Sequence, residues 1–209
     1  MAAAKALDLD PETIITISGL ETSTEGPFNL SAGVLIMSGT SGGGNFAVTL
    51  QQEDELAREL AFNEVGKYNG RSVIPIGIGP PKPGPVNLEV ISSKEWTFEY
   101  TEELSSAARS TPFEFSGSGD DISPAIEFTP GTHAITVSYD GPEFQFFAVN
   151  LYAADGSDTE FLTRIDPDGK QTSEGTFEFE IVSKGQFSNQ PGAWIVDVDT
   201  GGDWEISVM

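Results

Sequence analysis

The hexapeptides Glu95–Tyr100, EWTFEY, and Asp203–Val208, DWEISV, place Trp96 and Trp204 108 positions apart. Each begins with a carboxylate, follows it with Trp, and then alternates polar and apolar residues. On a β-strand successive side chains leave opposite faces of the sheet. Trp204, Ile206 and Val208 therefore share one face, with Glu205 and Ser207 on the other. Each hexapeptide reads as a strand with a dry side and a wet side.

The rest of the chain repeats around this pair. Ser18-Gly19 matches Ser116-Gly117 at an offset of 98, and FNLSAG (28–33) matches IEFTPG (126–131) at the same offset. FAVTL (46–50) answers FAVNL (147–151) at 101, and NGRSVIPI (69–76) answers EGTFEFEI (174–181) at 105. VNLEV (86–90) and WIVDV (194–198) stand 108 apart. The order is kept and the offset only grows, as two copies of one domain give when the second has longer loops.

Each copy is a series of short runs rich in β-branched and aromatic residues, bounded by Gly, Pro, Ser or Asn, with turns every 8–12 residues. The predicted fold class is all-β, two tandem duplicated β-sandwich (jelly-roll-like) domains. The predicted organisation is an N-terminal arm over 1–11, a first sandwich over 12–104, a linker over 105–112 and a second sandwich over 113–209. One segment competes. Gln51–Val65 carries Leu56 and Leu60 at helical spacing, but its counterpart holds an Asp155-Gly156 turn and the strand-like Glu160–Ile165. Because the copies should keep their elements, a turn plus strand is expected in both, with one helical turn around Glu53–Glu59.

Composition excludes several functions. The 209 residues contain no Cys, which removes disulfides, thiolate metal sites and cysteine nucleophiles. With 33 acidic against 10 basic residues the net charge is −23. Such a chain is repelled by phosphate backbones and anionic membranes, so neither nucleic acid nor membrane is an expected partner. No window approaches 18 apolar residues, and the N-terminus has no charged-then-apolar export pattern. Dense carboxylates and only six Lys fit adaptation to high salt, where self-repulsion is screened as the Debye length falls to about 3 Å at 1 M. The acidity is uneven, net −9 over 1–104 and −14 over 105–209.

No catalytic motif emerges. The single histidine, His133, lies in a predicted strand with no nucleophile elbow elsewhere, so no catalytic residues, cofactor or enzyme activity are expected. Gly39–Asn45, GTSGGGN, is followed by a strand rather than the helix an anion cradle needs, and reads as a flexible hairpin loop. Gly77–Pro85, GIGPPKPGP, reads as a strap that ends sheet pairing and as a candidate docking segment. Calcium takes six to eight oxygens, often from loop carboxylates. The second copy offers Asp166 and Asp168 in DPDG, and Asp197, Asp199 and Asp203 in DVDTGGD, as a candidate structural calcium site. Trp96, Trp204 and Trp194 fall in phase with apolar neighbours and are expected in the core.

The tandem sandwiches with the salt-adapted composition resemble virion surface proteins (capsid decoration, turret or tail-associated) of tailed viruses of halophilic hosts. The resemblance covers both halves at the level of architecture and carries over no site residues. It implies a structural protein at the virion surface that assembles with protein partners, as a homo-oligomer or on a symmetric particle. One domain would be anchored and the other would project into solvent. The alternative is a carbohydrate-binding or receptor-binding module, extracellular or at a cell surface, with a glycan as ligand and calcium as its ion.

Overall fold

The computed structural model describes residues 14–52, 58–102, 108–141, 147–164, 172–181 and 191–209, together with the two-residue strand at 7–8. The chain divides into two compact units, 1–103 and 104–209.

The first unit holds β1 (Leu7–Asp8), β2 (Ile15–Gly19), β3 (Ser23–Leu30), β4 (Gly33–Ser41), β5 (Asn45–Gln52), β6 (Arg58–Val65), β7 (Tyr68–Ile76), β8 (Gly84–Ser92) and β9 (Trp96–Thr101). They form two sheets, β1-β3-β8-β5-β6 and β2-β9-β4-β7. The second unit holds β10 (Arg109–Ser110), β11 (Phe113–Ser118), β12 (Asp121–Ile122), β13 (Ile126–Phe128), β14 (Gly131–Asp140), β15 (Phe147–Ala153), β16 (Thr159–Arg164), β17 (Thr172–Ile181), β18 (Gly192–Thr200) and β19 (Asp203–Val208). Its sheets run β10-β13-β18-β15-β16, with β12 also on β18, and β11-β19-β14-β17. The two strand orders are the same. Without the short leading strand, and with β12 and β13 taken as one interrupted strand, consecutive strands alternate between sheets except at the β5–β6 and β15–β16 hairpins, as in a double Greek key. Each unit is a jelly roll.

The alternation read from the sequence is what builds the two cores. In β14, His133, Ile135, Val137 and Tyr139 are buried while Ala134, Thr136 and Ser138 are only half-buried. In β19, Trp204, Ile206 and Val208 pack inward and Asp203 and Glu205 are exposed. The matched segments occupy matched places. Phe28 and Leu30 lie in the first core as Ile126 and Phe128 lie in the second, and Val86, Leu88 and Val90 as Trp194, Val196 and Val198. Burying a large apolar side chain contributes about 1.5–3 kcal/mol, so these duplicated positions are the main source of stability.

Irregularities are duplicated too. β3 shifts register between Glu25 and Phe28, around Gly26 (φ 114°) and Pro27. The corresponding run in the second unit breaks into β12 and β13 around Ser123-Pro124, and the Ser123 hydroxyl accepts from the Val196 N–H at 2.9 Å. Proline has no N–H for the ladder, so it sits where pairing is already interrupted.

Two of three expectations change, and the turn-plus-strand reading of Gln51–Val65 holds over 58–65. First, the loop at Gly39–Asn45 is not a hairpin. β4 and β5 belong to opposite sheets, and the loop crosses between them with Gly43 and Gly44 at φ 126° and 79°. Second, β6 is the expected strand, paired with β5 as β16 is with β15, each pair with one register shift. Helical spacing of Leu56 and Leu60 does not prevail there, and Leu60 points to solvent at 54% exposure. Residues 53–57, where a helical turn was expected, lie outside the described residues. Third, the arm and the linker contribute one strand each. β1 pairs in parallel with β3, Leu7 opposite Phe28, and β10 pairs in parallel with β13, Arg109 opposite Ile126. Phe28 and Ile126 are repeat partners, so the duplicated element begins upstream of the first sandwich strand.

Candidate functional site

The opening hexapeptides form a latch in each unit. Trp96 stands opposite Gly19 across the β2–β9 pair, and Trp204 opposite Gly117 across β11–β19. The indole lies over the glycine: a Cβ on Gly19 would fall 2.5 Å from Cζ2 of Trp96, and one on Gly117 2.5 Å from Cζ2 of Trp204. Each indole N–H donates at 2.9 Å to a backbone carbonyl in the following turn, Glu21 for Trp96 and Gly119 for Trp204. Both indoles are buried, as is Trp194 at 1% exposure. Each of the three tryptophans lies in the core of its own unit, Trp96 in the first and Trp194 and Trp204 in the second.

The two scaffolds match but their outward faces do not. In the second unit the outer face of β11-β19-β14-β17 is organised in cross-strand rows. Ser118, Asp203 and Asp140 form one, Ser116, Glu205 and Ser138 the next, and Glu114, Ser207, Thr136 and Thr176 the third. Glu178 and Glu180 continue the face opposite Ala134 and Thr132. None of these four strands contains Lys or Arg. Ser116, Ser138, Asp140, Asp203 and Glu205 line a shallow groove of about 350 Å³. Asp140 and Asp203 are directly opposed like charges, an arrangement that costs stability.

The corresponding face of the first unit, on β2-β9-β4-β7, reads Ser18–Thr97–Thr40–Asn69 and then Thr16–Glu99–Ser38–Arg71. Its strands hold one carboxylate, with a guanidinium in the same row, and Glu95, the repeat partner of Asp203, stands just before β9. Exposed large apolar residues are distributed the opposite way. Among the described residues Ile14, Leu20, Leu60, Val65, Ile78 and Ile91 belong to the first unit, and Phe161 and Met209 to the second.

Of the candidate calcium ligands, Asp197, Asp199 and Asp203 are among the described residues and lie on two strands, β18 and β19. Asp166 and Asp168 lie outside the described residues. Asp197 is a buried β18 residue at 5% exposure, with its carboxylate 3.4 Å from the Asn150 amide nitrogen. Asp199 follows two positions later on the same strand, opposite Ala148. Asp203 opens β19 in the other sheet of the sandwich. Several neighbouring aspartates satisfy backbone donors instead. Asp120 accepts from the Thr200 N–H at 2.8 Å, and Asp155 accepts from the Ser157 N–H at 2.9 Å in an Asx turn.

His133 is interior, 8% exposed, with its ring edge-on to Phe128 at 4.8 Å and Nε2 2.8 Å from the Thr129 carbonyl oxygen. Nε2 is thereby engaged by a backbone carbonyl. The proline strap is tied to its own unit: the Gln52 amide donates to the Lys82 carbonyl at 2.8 Å and accepts from the Lys82 N–H at 2.9 Å. Gly77 N–H donates to the Pro81 carbonyl, folding the strap back on itself. Burial raises the pKa of the Tyr100 phenol, which sits inside the first core. The acidic rows of the second unit escaped the sequence reading. Their signal is the polar phase of SYD (138–140) and DWE (203–205), which becomes a row only once β14 and β19 are known to be neighbours.

No protein family model matches the chain, and no curated protein matches it. Among solved structures, the chain is similar to the PBSX exported protein XepA at 10% identity, covering 94% of this chain and 85% of that one with a TM-score of 0.28. It is similar to the N-terminal CBM22-1-CBM22-2 tandem domain from Paenibacillus barcinonensis Xyn10C at 10% identity, covering 100% and 99% with a TM-score of 0.28. It is also similar to the triple jelly roll of an archaeal virus turret assembly at 13% identity, covering 97% of this chain and 52% of that one with a TM-score of 0.29. At these scores the likenesses carry no argument, and the jelly-roll assignment rests on the strand order.

Proposed function

We propose that this chain is a non-enzymatic structural protein of a virion surface, adapted to high salt, in which the first jelly roll anchors to neighbouring protein and the second projects into solvent. The observation that carries the proposal is the segregation of surface chemistry between two units with the same scaffold. Six of the eight exposed large apolar residues among those described lie in the first unit. The second unit carries the carboxylate and hydroxyl rows of the β11-β19-β14-β17 face. A duplicated fold has no internal reason to differ in this way, because both copies build their cores from matched positions. Apolar surface favours protein contact, whereas a carboxylate face stays hydrated and repels its own kind.

The test is to purify particles from the source of the gene and image them. Density for two adjoining jelly rolls at the particle surface, with the acidic unit outermost, is the expected result. Particles from which the chain is absent by imaging and by mass spectrometry would remove the proposal.

A further inference from the structure

Every open sheet exposes unpaired N–H and C=O groups along its edge strands, and these invite another chain to add a strand. β6 and β16 are such edges, each ending its sheet with β5 or β15 as sole partner in the strand order. Both carry the same irregularity at the same place. Register slips between Val48 and Thr49 on β5 and between Val149 and Asn150 on β15, leaving Ala61 and Leu162 as the extra residues of the edge strands. One residue before the exposed Leu60 and Phe161 stand Glu59 and Glu160.

The register shows where these glutamates point. Glu59 is opposite Leu50, and Glu160 is opposite Leu151. Both leucines are core residues, 1% and 0% exposed, so the pattern assigns an inward, apolar side chain to each glutamate position. Both positions are half-buried. Desolvation raises the Glu59 pKa above the ordinary carboxylate range, in keeping with a carboxyl group at the rim of the core. A large exposed apolar residue beside a paired edge would otherwise favour sheet extension: Leu60 is 54% and Phe161 59% exposed.

We infer that the bulge and the inward glutamate form a guard, present once in each unit, which prevents a second copy of this chain from extending the sheet at β6 or β16. A strand added there would have to cover the glutamate and strip its water, with no basic partner in the ladder. It would also meet a hydrogen-bonding edge interrupted by the extra residue. The opposite edges of the same sheets are closed in another way, by the two-residue parallel strands β1 and β10. Any assembly of this chain then leaves these two edges free.

The experiment compares the full wild-type chain with the double variant Glu59→Val/Glu160→Val and with Asn63→Val, a control on the outward side of β6 opposite Ala47. Sedimentation velocity over a concentration series gives the self-association constant. Amide exchange reports on residues 58–65 and 159–164, and a thermal melt reports on folding. The double valine variant is expected to associate at least about tenfold more tightly than wild type, with slowed exchange at both edges and an undiminished melting temperature. Asn63→Val is expected to behave as wild type. Glu59→Gln/Glu160→Gln, which keeps side-chain size, covers the case in which valine disturbs folding and should shift association in the same direction. Association equal to wild type in the folded double variants, or an equal rise in Asn63→Val, overturns the inference.

Discussion

The Trp–Gly latch permits a prediction whose size follows from the geometry. Gly19 is in extended backbone, so Gly19→Ala adds no φ penalty, and the loss of unfolded-chain entropy alone would stabilise by about 0.4–1 kcal/mol. The new methyl carbon, however, falls 2.5 Å from Cζ2 and 2.8 Å from Cε2 of Trp96. The indole cannot retreat freely. It is 2% exposed, stacked on Phe98 at 5.3 Å, and fixed by its bond to the Glu21 carbonyl. Overpacking of this kind costs about 1–3 kcal/mol, and losing the indole hydrogen bond adds about 1 kcal/mol. A net destabilisation of about 2 kcal/mol is expected. Trp96→Phe removes Cζ2, Cε2 and the N–H together and costs about 2–4 kcal/mol through the cavity and the orphaned carbonyl. In that background Gly19→Ala meets open space, so its cost should vanish, giving a coupling of about 2 kcal/mol in the double-mutant cycle. Urea titration of the full chain, read by amide exchange at β9 and β19, gives each unit its own midpoint. The same cycle on Gly117 and Trp204 should return a similar coupling in the second unit. Additivity within about 0.5 kcal/mol at both sites would refute steric locking as the reason for the glycines.

Asp203→Asn should stabilise the second unit by about 0.5 kcal/mol at low salt by relieving its opposition to Asp140, and the gain should disappear in 1 M KCl; a gain independent of salt would contradict the charge argument. Glu59 has a folded-state pKa raised by desolvation, so the stability linked to its neutral form is present below its unfolded pKa and lost as pH rises through the folded value. Glu59→Gln should therefore be more stable than wild type at pH 7 and equal to it near pH 4, and urea midpoints that differ equally at both pH values would refute this. The melting temperature of the whole chain should rise from low to molar KCl as repulsion among its 33 carboxylates is screened, and a flat profile would leave the acidity a matter of solubility alone.

Much of the fold could be read from particular residues. The period-two pattern of DWEISV gave the face of each side chain, and the rising offset between matched segments gave two copies of one domain. FAVTL and FAVNL could be equated because each must fill the same core volume, and both lie in β5 and β15 as that equation requires. Gln51–Val65 was ambiguous because Leu56 and Leu60 satisfy a helix as well as a strand. Only pairing with β5, which consumes the backbone hydrogen bonds of β6, resolves it.

The site was much less legible. Whether Asp140 and Asp203 face each other depends on β14 and β19 being neighbours, and they are 63 residues apart. Sequence alone likewise gave no reason to separate Asp199 from Asp203, four positions on, yet the chain crosses from one sheet to the other between them.

The strands, their inward faces, the duplication and the charge are legible in the chain alone, because alternation and repetition are local or translational properties. Which strands are neighbours, and so which carboxylates form rows, which glycine an indole covers and which glutamate guards an edge, follows only from the folded topology. Those are relations between residues distant in sequence, and the jelly-roll crossovers set them where no local pattern records them.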